Sequence, residues 1–383
     1  MKLHEYQAKE LLARYGVPVP RNAGAVADSC HAFEAALNLG GKAVLKAQVH
    51  TGGRGKAGGI RIVRTPEEAE QTAASMLGMI LKTHQAPEGI RVERLLVEEP
   101  ISVESEIYIG IVPDRASQCH TLIVSSMGGM DIEAVADEHP EAVARERIHP
   151  ALGLRTYQAR RACYACGIPH SIAGAVASVI MSVFKAYTEL DADLLEINPL
   201  AVVTGGSLVA ADAKLSVDDN ALFRHPELAA YRSEAAEDPI EAEAQRRGIQ
   251  YVKLDGTIGV MGNGAGLVMA TLDEVARAGG RAANFLDVGG GARAESVRNS
   301  LEMVLMNPNV RGVLINIFGG ITRCDEVARG VLDAITGMDL PVPIVVRLAG
   351  TRADEGARLL ADSPLVTADT MQEAASRVVA LAG

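Results

Sequence analysis

The chain has no tryptophan, and aromatic residues make up only 3% of its 383 residues. Its five cysteines are too few for the disulfide scaffold of a small secreted protein. We find no apolar run of about 18 residues that would span a membrane. The first ten residues mix acids with bases and have no apolar signal core. These absences predict a cytoplasmic globular protein.

The chain also has little positive charge for its length. It carries 37 lysines and arginines against 48 acidic residues, a net charge of −11. This balance argues against a broad surface for nucleic acid or for an anionic membrane. Any phosphate site must therefore be local and built from loops and helix ends.

No motif of an enzymatic nucleophile is present. The sequence has no G-x-S-x-G elbow, no H-E-x-x-H zinc helix and no histidine in a catalytic motif. Cys163 and Cys166 form a C-x-x-C without a second pair, in an alanine-rich segment that reads as a helix. We interpret them as spectator thiols, with redox or zinc use as the alternative. A chain that binds ligands without a nucleophile is typical of one subunit of a larger enzyme.

The most informative segment is a glycine-rich loop that follows an apolar run ending at Lys46. Five glycines and two more cations lie between Lys46 and residue 60. Such loops can turn backbone N–H groups and positive charge toward phosphates. Ala57 excludes a P-loop, and the alternating residues 60–63 predict a strand where a dinucleotide motif needs a helix. We predict a hairpin loop that folds over a nucleotide; an ordinary flexible hairpin is the alternative.

A second polar group lies near residue 200. Glu196 and Asn198 are two residues apart, so they share a face if they lie on a strand. Asp212 joins that face if the turn around residues 204–207 has an odd number of residues. An amide and a carboxylate, completed by phosphates and water, suit Mg²⁺. A solvated, half-exposed hairpin is the alternative.

Periodicity predicts the main elements. Before residue 235 we expect a helix over 3–14, strands at 94–98 and 106–112, and helices near 132–145 and 171–188. We place a domain boundary in the charged segment 234–243, giving domains 1–238 and 239–383. Beyond it, strands at 257–261, 283–288, 311–318 and 343–348 alternate with helices such as 294–306 and 323–336. This alternation predicts a doubly wound parallel sheet.

Three glycine-rich turns punctuate the second domain, near residues 262–266, 287–291 and 318–322. Each follows a predicted strand and precedes a predicted helix, and ligands bind at this edge of open α/β sheets. Thr322 and Asp325 match a capping box that would begin a helix facing the crevice. These glycines could instead serve only to tighten the turns.

Six separated motifs, in order, resemble the β subunits of ADP-forming succinate–CoA ligases, within the ATP-grasp acyl-CoA synthetase family. They lie at residues 3–9, 52–59, 196–200, 220–224, 283–291 and 316–325. The resemblance covers the whole chain. It implies an N-terminal ATP-grasp domain followed by a flavodoxin-like ligase domain.

The resemblance also implies a role for each matching residue. The nucleotide, ATP or GTP, would be bound by Lys46, Gly53, Arg54, Gly55, Glu98, Ile101 and Glu106, with Glu98 and Glu106 toward its adenosine end. Asn198 and Asp212 would bind Mg²⁺, and Glu196 would act in catalysis by orienting a phosphohistidine. Substrate and phosphate would meet Asn263, Gly320, Ile321 and Thr322.

That histidine would belong to an α subunit, which would also bind most of the CoA, in an αβ or α₂β₂ assembly. The implied chemistry passes phosphate from the nucleotide to the histidine, then to a carboxylate, before CoA displaces it. Ser105, Glu99 and Pro100 depart from the family pattern, and residues 151–190 match it least well. Alternatives are a ligase for malate or another small dicarboxylate, and a non-catalytic nucleotide-binding regulatory subunit.

Overall fold

The computed structural model describes residues 1–228, 231, 238–291, 293–336 and 341–383. The chain divides into two compact units, Met1–Ala236 and Glu237–Gly383. Residues 234–237 of the segment in which we expect the boundary lie outside the described residues. A domain boundary at residue 238 therefore stays a prediction.

The first unit begins with a small antiparallel sheet in the order β1-β6-β2-β3, and β4 and β5 form a separate hairpin. Helices α2 (Ser29–Asn38) and α3 (Pro66–Met76) pack against each other and bury alanine-rich faces. Asp28 and Thr65 begin them, because each side chain accepts a backbone N–H of the first turn. The strands are β1 (Asn22–Val26), β2 (Ala43–Ala47), β3 (Ile60–Val63), β4 (Ile80–Thr83), β5 (Ala86–Arg91) and β6 (Leu95–Glu98).

A larger antiparallel sheet follows, in the order β11-β10-β7-β8-β9, with β12 also paired to β10. Its strands are β7 (Val103–Asp114), β8 (Cys119–Ser125), β9 (Val143–Ile148), β10 (Ala192–Val203), β11 (Ser207–Ala210) and β12 (Ala213–Val217). The accompanying helices are α1 (Glu5–Arg14), α4 (Ile132–Glu138), α5 (Thr156–Ala165) and α6 (His170–Glu189).

The prediction of a helix near residues 132–145 is wrong for the second half of that segment. Helix α4 ends at Glu138, a short 3₁₀ turn spans Pro140–Ala142, and strand β9 begins at Val143. Pro140 cannot continue the helix, since it lacks a backbone N–H. Residues 144, 146 and 148 then alternate inward, which is the two-residue period of a strand.

Helix α6 is, within the described residues, the one helix long and apolar enough to cross a membrane by length and composition. Its sequence is not a continuous apolar run, because serines and a histidine interrupt the segment. Its buried residues, including Val176, Ile180 and Val183, pack into the core of the first unit. The core helix of a globular domain passes the same test.

Cys163 and Cys166 lie at the end of α5, buried in the same core and without a disulfide. Burial raises the pKa of the Cys163 thiol to about 12. A thiol with so high a pKa is a poor nucleophile and a poor metal ligand.

The second unit is the doubly wound α/β domain that the sequence predicts. Its sheet has the order β13-β15-β14-β16-β17-β18, parallel apart from β13. The strands are β13 (Gln250–Lys253), β14 (Ile258–Gly262), β15 (Asn284–Asp287), β16 (Gly312–Gly319), β17 (Ile344–Gly350) and β18 (Val366–Thr367). The helices are α7 (Pro239–Arg246), α8 (Ala265–Arg277), α9 (Ala294–Leu305), α10 (Cys324–Ile335), α11 (Ala353–Leu360) and α12 (Met371–Ala382).

Helices cover both faces of this sheet, with a separate apolar core on each. Helices α9 and α10 pack on one face with Val313 and Ile315, and α8 and α12 pack on the other with Leu314. Neighbouring residues of β16 thus point to opposite faces. Strands buried on both sides read as continuous apolar runs, which is why these elements were predictable.

Candidate functional site

The glycine-rich loop connects β2 and β3, which pair antiparallel with Lys46 opposite Ile60. Two backbone hydrogen bonds close its base: Ala47 donates to the Gly59 carbonyl and Gly59 donates to the Arg54 carbonyl, each at 2.8 Å. Gly53 and Gly55 are exposed, and Gly53 has a φ of 73° that favours glycine. The hairpin predicted from the sequence is therefore confirmed.

Two of the three cations in this segment, Lys46 and Arg54, are buried in contacts with acidic residues, whereas Lys56 is exposed. Lys46 Nζ lies 2.7 Å from Glu98 Oε2 and 3.1 Å from Glu5 Oε1, and it donates to the Ala211 carbonyl at 2.6 Å. Arg54 Nη2 lies 3.0 Å from each Asp212 oxygen and also contacts Glu5. The structure thus brings Lys46, Arg54 and Asp212 together from distant parts of the chain.

Six charged residues in contact with one another form what we call the buried charge cluster: Glu5, Lys9, Lys46, Arg54, Glu98 and Asp212. It balances three cations with three carboxylates. Burial alone would raise the pKa of Glu5, but Arg54 and Lys9 hold it well below its usual value. Burial lowers the pKa of Lys9. Because isolated charges are costly in a protein interior, the cluster depends on this pairing.

The sequence analysis did not identify Glu5 and Lys9 as site residues. A signal was available, since positions 5 and 9 are one helical turn apart on the face that also carries the apolar Leu12. Charges on the buried face of an amphipathic helix point to a partner inside the protein.

Glu196 and Asn198 lie two residues apart on β10, and Asp212 lies in the short segment between β11 and β12. The three-residue turn 204–206 keeps a single register, in which Leu200 faces Ala210 and Ile197 faces Ala213. Asn198 is therefore opposite Asp212, and its backbone N–H donates to the Asp212 carbonyl at 3.2 Å. Asn198 Nδ2 lies 3.4 Å from Glu196 Oε1. Burial raises the pKa of the Glu196 carboxyl.

The oxygens of Asn198 and Asp212 suit Mg²⁺ in chemistry. Both are engaged by protein groups: Asn198 Oδ1 accepts from the Gly129 N–H at 2.7 Å, and Arg54 binds both Asp212 oxygens. No group of three or more His, Cys, Asp or Glu side chains is arranged for a metal ion in the part of the chain that the structure describes. These two residues would therefore need phosphate and water to complete an octahedron.

The other three residues that the resemblance assigns to the nucleotide lie in different surroundings. Glu98 is 1% exposed and belongs to the buried charge cluster. Ile101 is half-buried between β6 and β7, and Glu106 is half-buried on β7. The structure brings Glu106 against the segment 126–131, where Gly128 donates to its carbonyl at 2.9 Å.

Replacing Gly129 with alanine is expected to reduce the free energy of unfolding by on the order of 1–3 kcal/mol. Gly129 has a φ of 71°, and an added Cβ would lie 2.1 Å from Glu106 Oε2. Gly167→Ala is the matched control, because Gly167 has a φ of 82° with nothing within 4 Å. Denaturant unfolding of both variants measures the effect. Equal losses would show that the Glu106 contact contributes nothing.

His50, in the glycine-rich loop, predicts a pH dependence of stability. Its ring stacks on His4 at 4.1 Å, and burial followed by the His4 charge lowers its pKa from 6.5 to about 4. In the unfolded chain His50 takes up a proton below about pH 6.5, but in the folded chain it does so only near pH 4. The free energy of unfolding therefore decreases as the pH is lowered from 6.5 to 4.

We expect His50→Phe, which keeps the ring, to lose less stability between pH 6.5 and pH 4, by on the order of 1–2 kcal/mol. Chemical denaturation at several pH values measures this. His31→Phe is the control of opposite sign, because Asp28 raises the pKa of exposed His31. If the free energy of unfolding of His50→Phe changes with pH as steeply as that of the wild type, the lowered pKa of His50 is contradicted.

In the second unit, Asn263 and Thr322 meet at the ends of β14 and β16. The Asn263 amide donates to the Phe318 carbonyl at 2.9 Å and accepts the Phe318 N–H at 2.8 Å. Asn263 Nδ2 also lies 3.2 Å from Thr322 Oγ1, which accepts the Gly291 N–H at 2.9 Å. Gly320 is exposed, and Ile321 is 89% exposed. The structure thus brings the predicted residues of this unit to one sheet edge.

Two details at this edge differ from the sequence analysis. Helix α10 begins after Arg323, with no side-chain cap, so the expected Thr322 capping box is wrong. The Thr322 hydroxyl instead joins two glycine turns to each other. Asp287 was not identified, and its Oδ1 accepts the N–H groups of Gly264 at 2.6 Å and Gly289 at 2.7 Å. An aspartate two residues before the first glycine of a glycine run was the available signal.

Comparison with known proteins agrees with this two-part architecture. The ATP-grasp domain model matches residues 2–202, and the CoA-ligase model matches residues 261–381. The chain is 50% identical over 383 residues to the GDP-forming succinate–CoA ligase subunit beta of Thermus thermophilus, covering 100% of this chain and 99% of that protein. It is 48% identical over 384 residues to the ADP-forming subunit beta of a Polaromonas species, covering 99% of each.

A solved ATP citrate lyase from Methanothrix soehngenii, in complex with citrate and coenzyme A, has a similar fold. Its TM-score is 0.74 at 19% identity, over 100% of this chain and 98% of that one. The fold is an ATP-grasp domain followed by a flavodoxin-like CoA-ligase domain. By the full-length identity to its relatives, the chain belongs to the succinate–CoA ligase β-subunit family.

Proposed function

We propose that this chain is the β subunit of a succinate–CoA ligase, an acid–thiol ligase that acts with an α subunit. The observation that carries the proposal is the assembly of Lys46, Arg54 and Asp212 beside the glycine-rich hairpin of an ATP-grasp domain. Full-length identity of 48–50% to succinate–CoA ligase β subunits supports the reaction class.

In the proposed mechanism, Lys46 and Arg54 exchange their carboxylate partners for nucleotide phosphates. The N–H groups of Gly53 and Gly55 complete the phosphate site, Glu98 and Glu106 lie toward the adenosine, and Ile101 also contacts the nucleotide. Asn198 and Asp212 would hold Mg²⁺, which neutralises the charge of the transferring phosphoryl group. The protein contributes positioning and fixed charge, and no residue of this chain needs to become covalently modified.

The phosphoryl group would pass to a histidine of the α subunit, with Glu196 orienting the imidazole. Succinate then accepts it as an acyl phosphate, and the CoA thiol displaces phosphate to form succinyl-CoA. Asn263, Gly320, Ile321 and Thr322 would contact substrate and phosphate, while most of the CoA would bind the α subunit. The proposed complex is αβ or α₂β₂, in the cytoplasm.

A substrate panel on the reconstituted complex tests this proposal. We expect continuous turnover, measured as nucleoside diphosphate release over many cycles, to require CoA, Mg²⁺ and succinate and to be slower with malate. Running the panel with ATP and with GTP defines the nucleotide, and the mass of the complex distinguishes αβ from α₂β₂. Faster release with malate would reassign the acid. Continuous release with no acid, beyond the one equivalent that phosphorylates the histidine, would contradict the ligase function.

A further inference from the structure

Helix α1 places a second buried ammonium beside that of Lys46. Lys9 Nζ donates to Glu98 Oε1 at 2.6 Å and Oε2 at 2.9 Å, and to the Ala211 carbonyl at 2.7 Å. It also lies 2.8 Å from Glu5 Oε1. The proposed function gives Lys9 no task.

The two lysines share every acceptor but differ in exposure. Lys46 contacts the same Glu98 carboxylate, the same Glu5 Oε1 and the same Ala211 carbonyl. The Lys9 side chain is 1% exposed, whereas that of Lys46 is 11% exposed and lies on the strand that leads into the glycine-rich loop. Lys46 can therefore turn toward a ligand, and Lys9 is confined to the carboxylates.

When Lys46 binds a phosphate, it gives up its contacts to Glu5 and Glu98. A buried carboxylate that loses its partner is strongly destabilising, so departure of Lys46 requires another cation at the same place. Lys9 already contacts both carboxylates, so each of them keeps a cationic partner when Lys46 departs.

Resting on the proposed role of Lys46 in phosphate binding, we propose that Lys9 is a positioning residue for the nucleotide. It keeps Glu5 and Glu98 paired, so that Lys46 is available to the phosphates. Without Lys9, two carboxylates compete with the nucleotide for one ammonium. The state in which Lys46 is free becomes rarer, and the apparent affinity falls in proportion to its population.

The test compares ADP affinity, by calorimetry, for variants of the full chain with its α subunit. Lys9→Met should raise the Kd for ADP by about tenfold or more, with the KM for ATP rising in step and kcat changing little. Glu5→Gln removes one competing carboxylate, so ADP should bind at least as tightly as to wild type. The charge-balanced pair Lys9→Met with Glu5→Gln should return to within about threefold of wild type.

Lys185→Met is the matched control, since Lys185 also pairs with an acid four residues away but is 64% exposed. It should leave the Kd for ADP unchanged. If Lys9→Met alone does not fold, Glu5→Gln and the pair carry the test. A role confined to stability would lower the melting temperature of Lys9→Met without changing the ADP affinity of the folded protein, and it would overturn the proposal.

Weaker binding by Glu5→Gln, or no recovery in the pair, would overturn it as well. Comparing Lys46→Ala with Lys9→Met distinguishes failure of the inference about Lys9 from failure of the proposed function. If Lys46→Ala weakens ADP binding while Lys9→Met does not, only the inference about Lys9 is wrong. If neither variant changes ADP binding, the phosphate role of Lys46 is itself wrong.

Discussion

Asp212→Ala is expected to reduce Mg²⁺-dependent phosphorylation of the α subunit's histidine by about a thousandfold or more. The variant removes one of two proposed protein oxygens for the metal, and with it the neutralisation of the transferring phosphoryl group. The chain should stay folded, because Arg54 keeps its contacts to Glu5 and to the Ala47 carbonyl. Acid-labile phosphoprotein, measured in the reconstituted complex, reports the effect.

Asp193→Ala serves as the control, since Asp193 is exposed on strand β10, which pairs with the strand directly after Asp212. It should leave phosphorylation at the wild-type level. Thermal unfolding of both variants separates loss of chemistry from loss of structure. Undiminished phosphorylation by folded Asp212→Ala would remove Asp212 from the metal site.

Lys46→Ala is expected to weaken ADP binding by about a hundredfold, which corresponds to about 2.7 kcal/mol. The loss has two sources. A charge-assisted hydrogen bond to phosphate contributes about 1.5–3 kcal/mol. Without Lys46, the buried carboxylates also repel the incoming phosphate more strongly. The fold should persist, because Lys9 still pairs with Glu98.

Calorimetry with ADP on the complex measures this loss, and Lys42→Ala is the control. Lys42 is exposed just before strand β2, so its removal changes the net charge equally without touching the cluster. If Lys46→Ala binds ADP as tightly as the wild type does, the proposed role of Lys46 in phosphate binding is contradicted.

The buried charge cluster gives these predictions a common basis. Its cations and carboxylates balance without a ligand, so binding a nucleotide is an exchange of partners. The affinity then reflects the difference between phosphate and carboxylate contacts, not the phosphate contacts alone. Glu5→Gln and substitutions at the cations should therefore shift ADP affinity in opposite directions.

The sequence by itself determined the elements whose signal is local. The glycine-rich loop between β2 and β3 was predictable because glycines and two-residue alternation act over a few positions. The doubly wound second unit was predictable because its strands are apolar throughout. Local signals failed at residues 140–148, where a proline and a change of period overrode a helical composition.

Only the tertiary structure decided which charges meet. Lys46 is 41 residues from Glu5 and 165 from the Ala211 carbonyl, and no periodicity links positions so far apart. Their meeting depends on the pairing of β10 with β12, on the placement of α1 and on burial, which makes an unpaired charge too costly. Sequence patterns record which face a residue occupies, whereas the partner on that face is set by the packing of the whole unit.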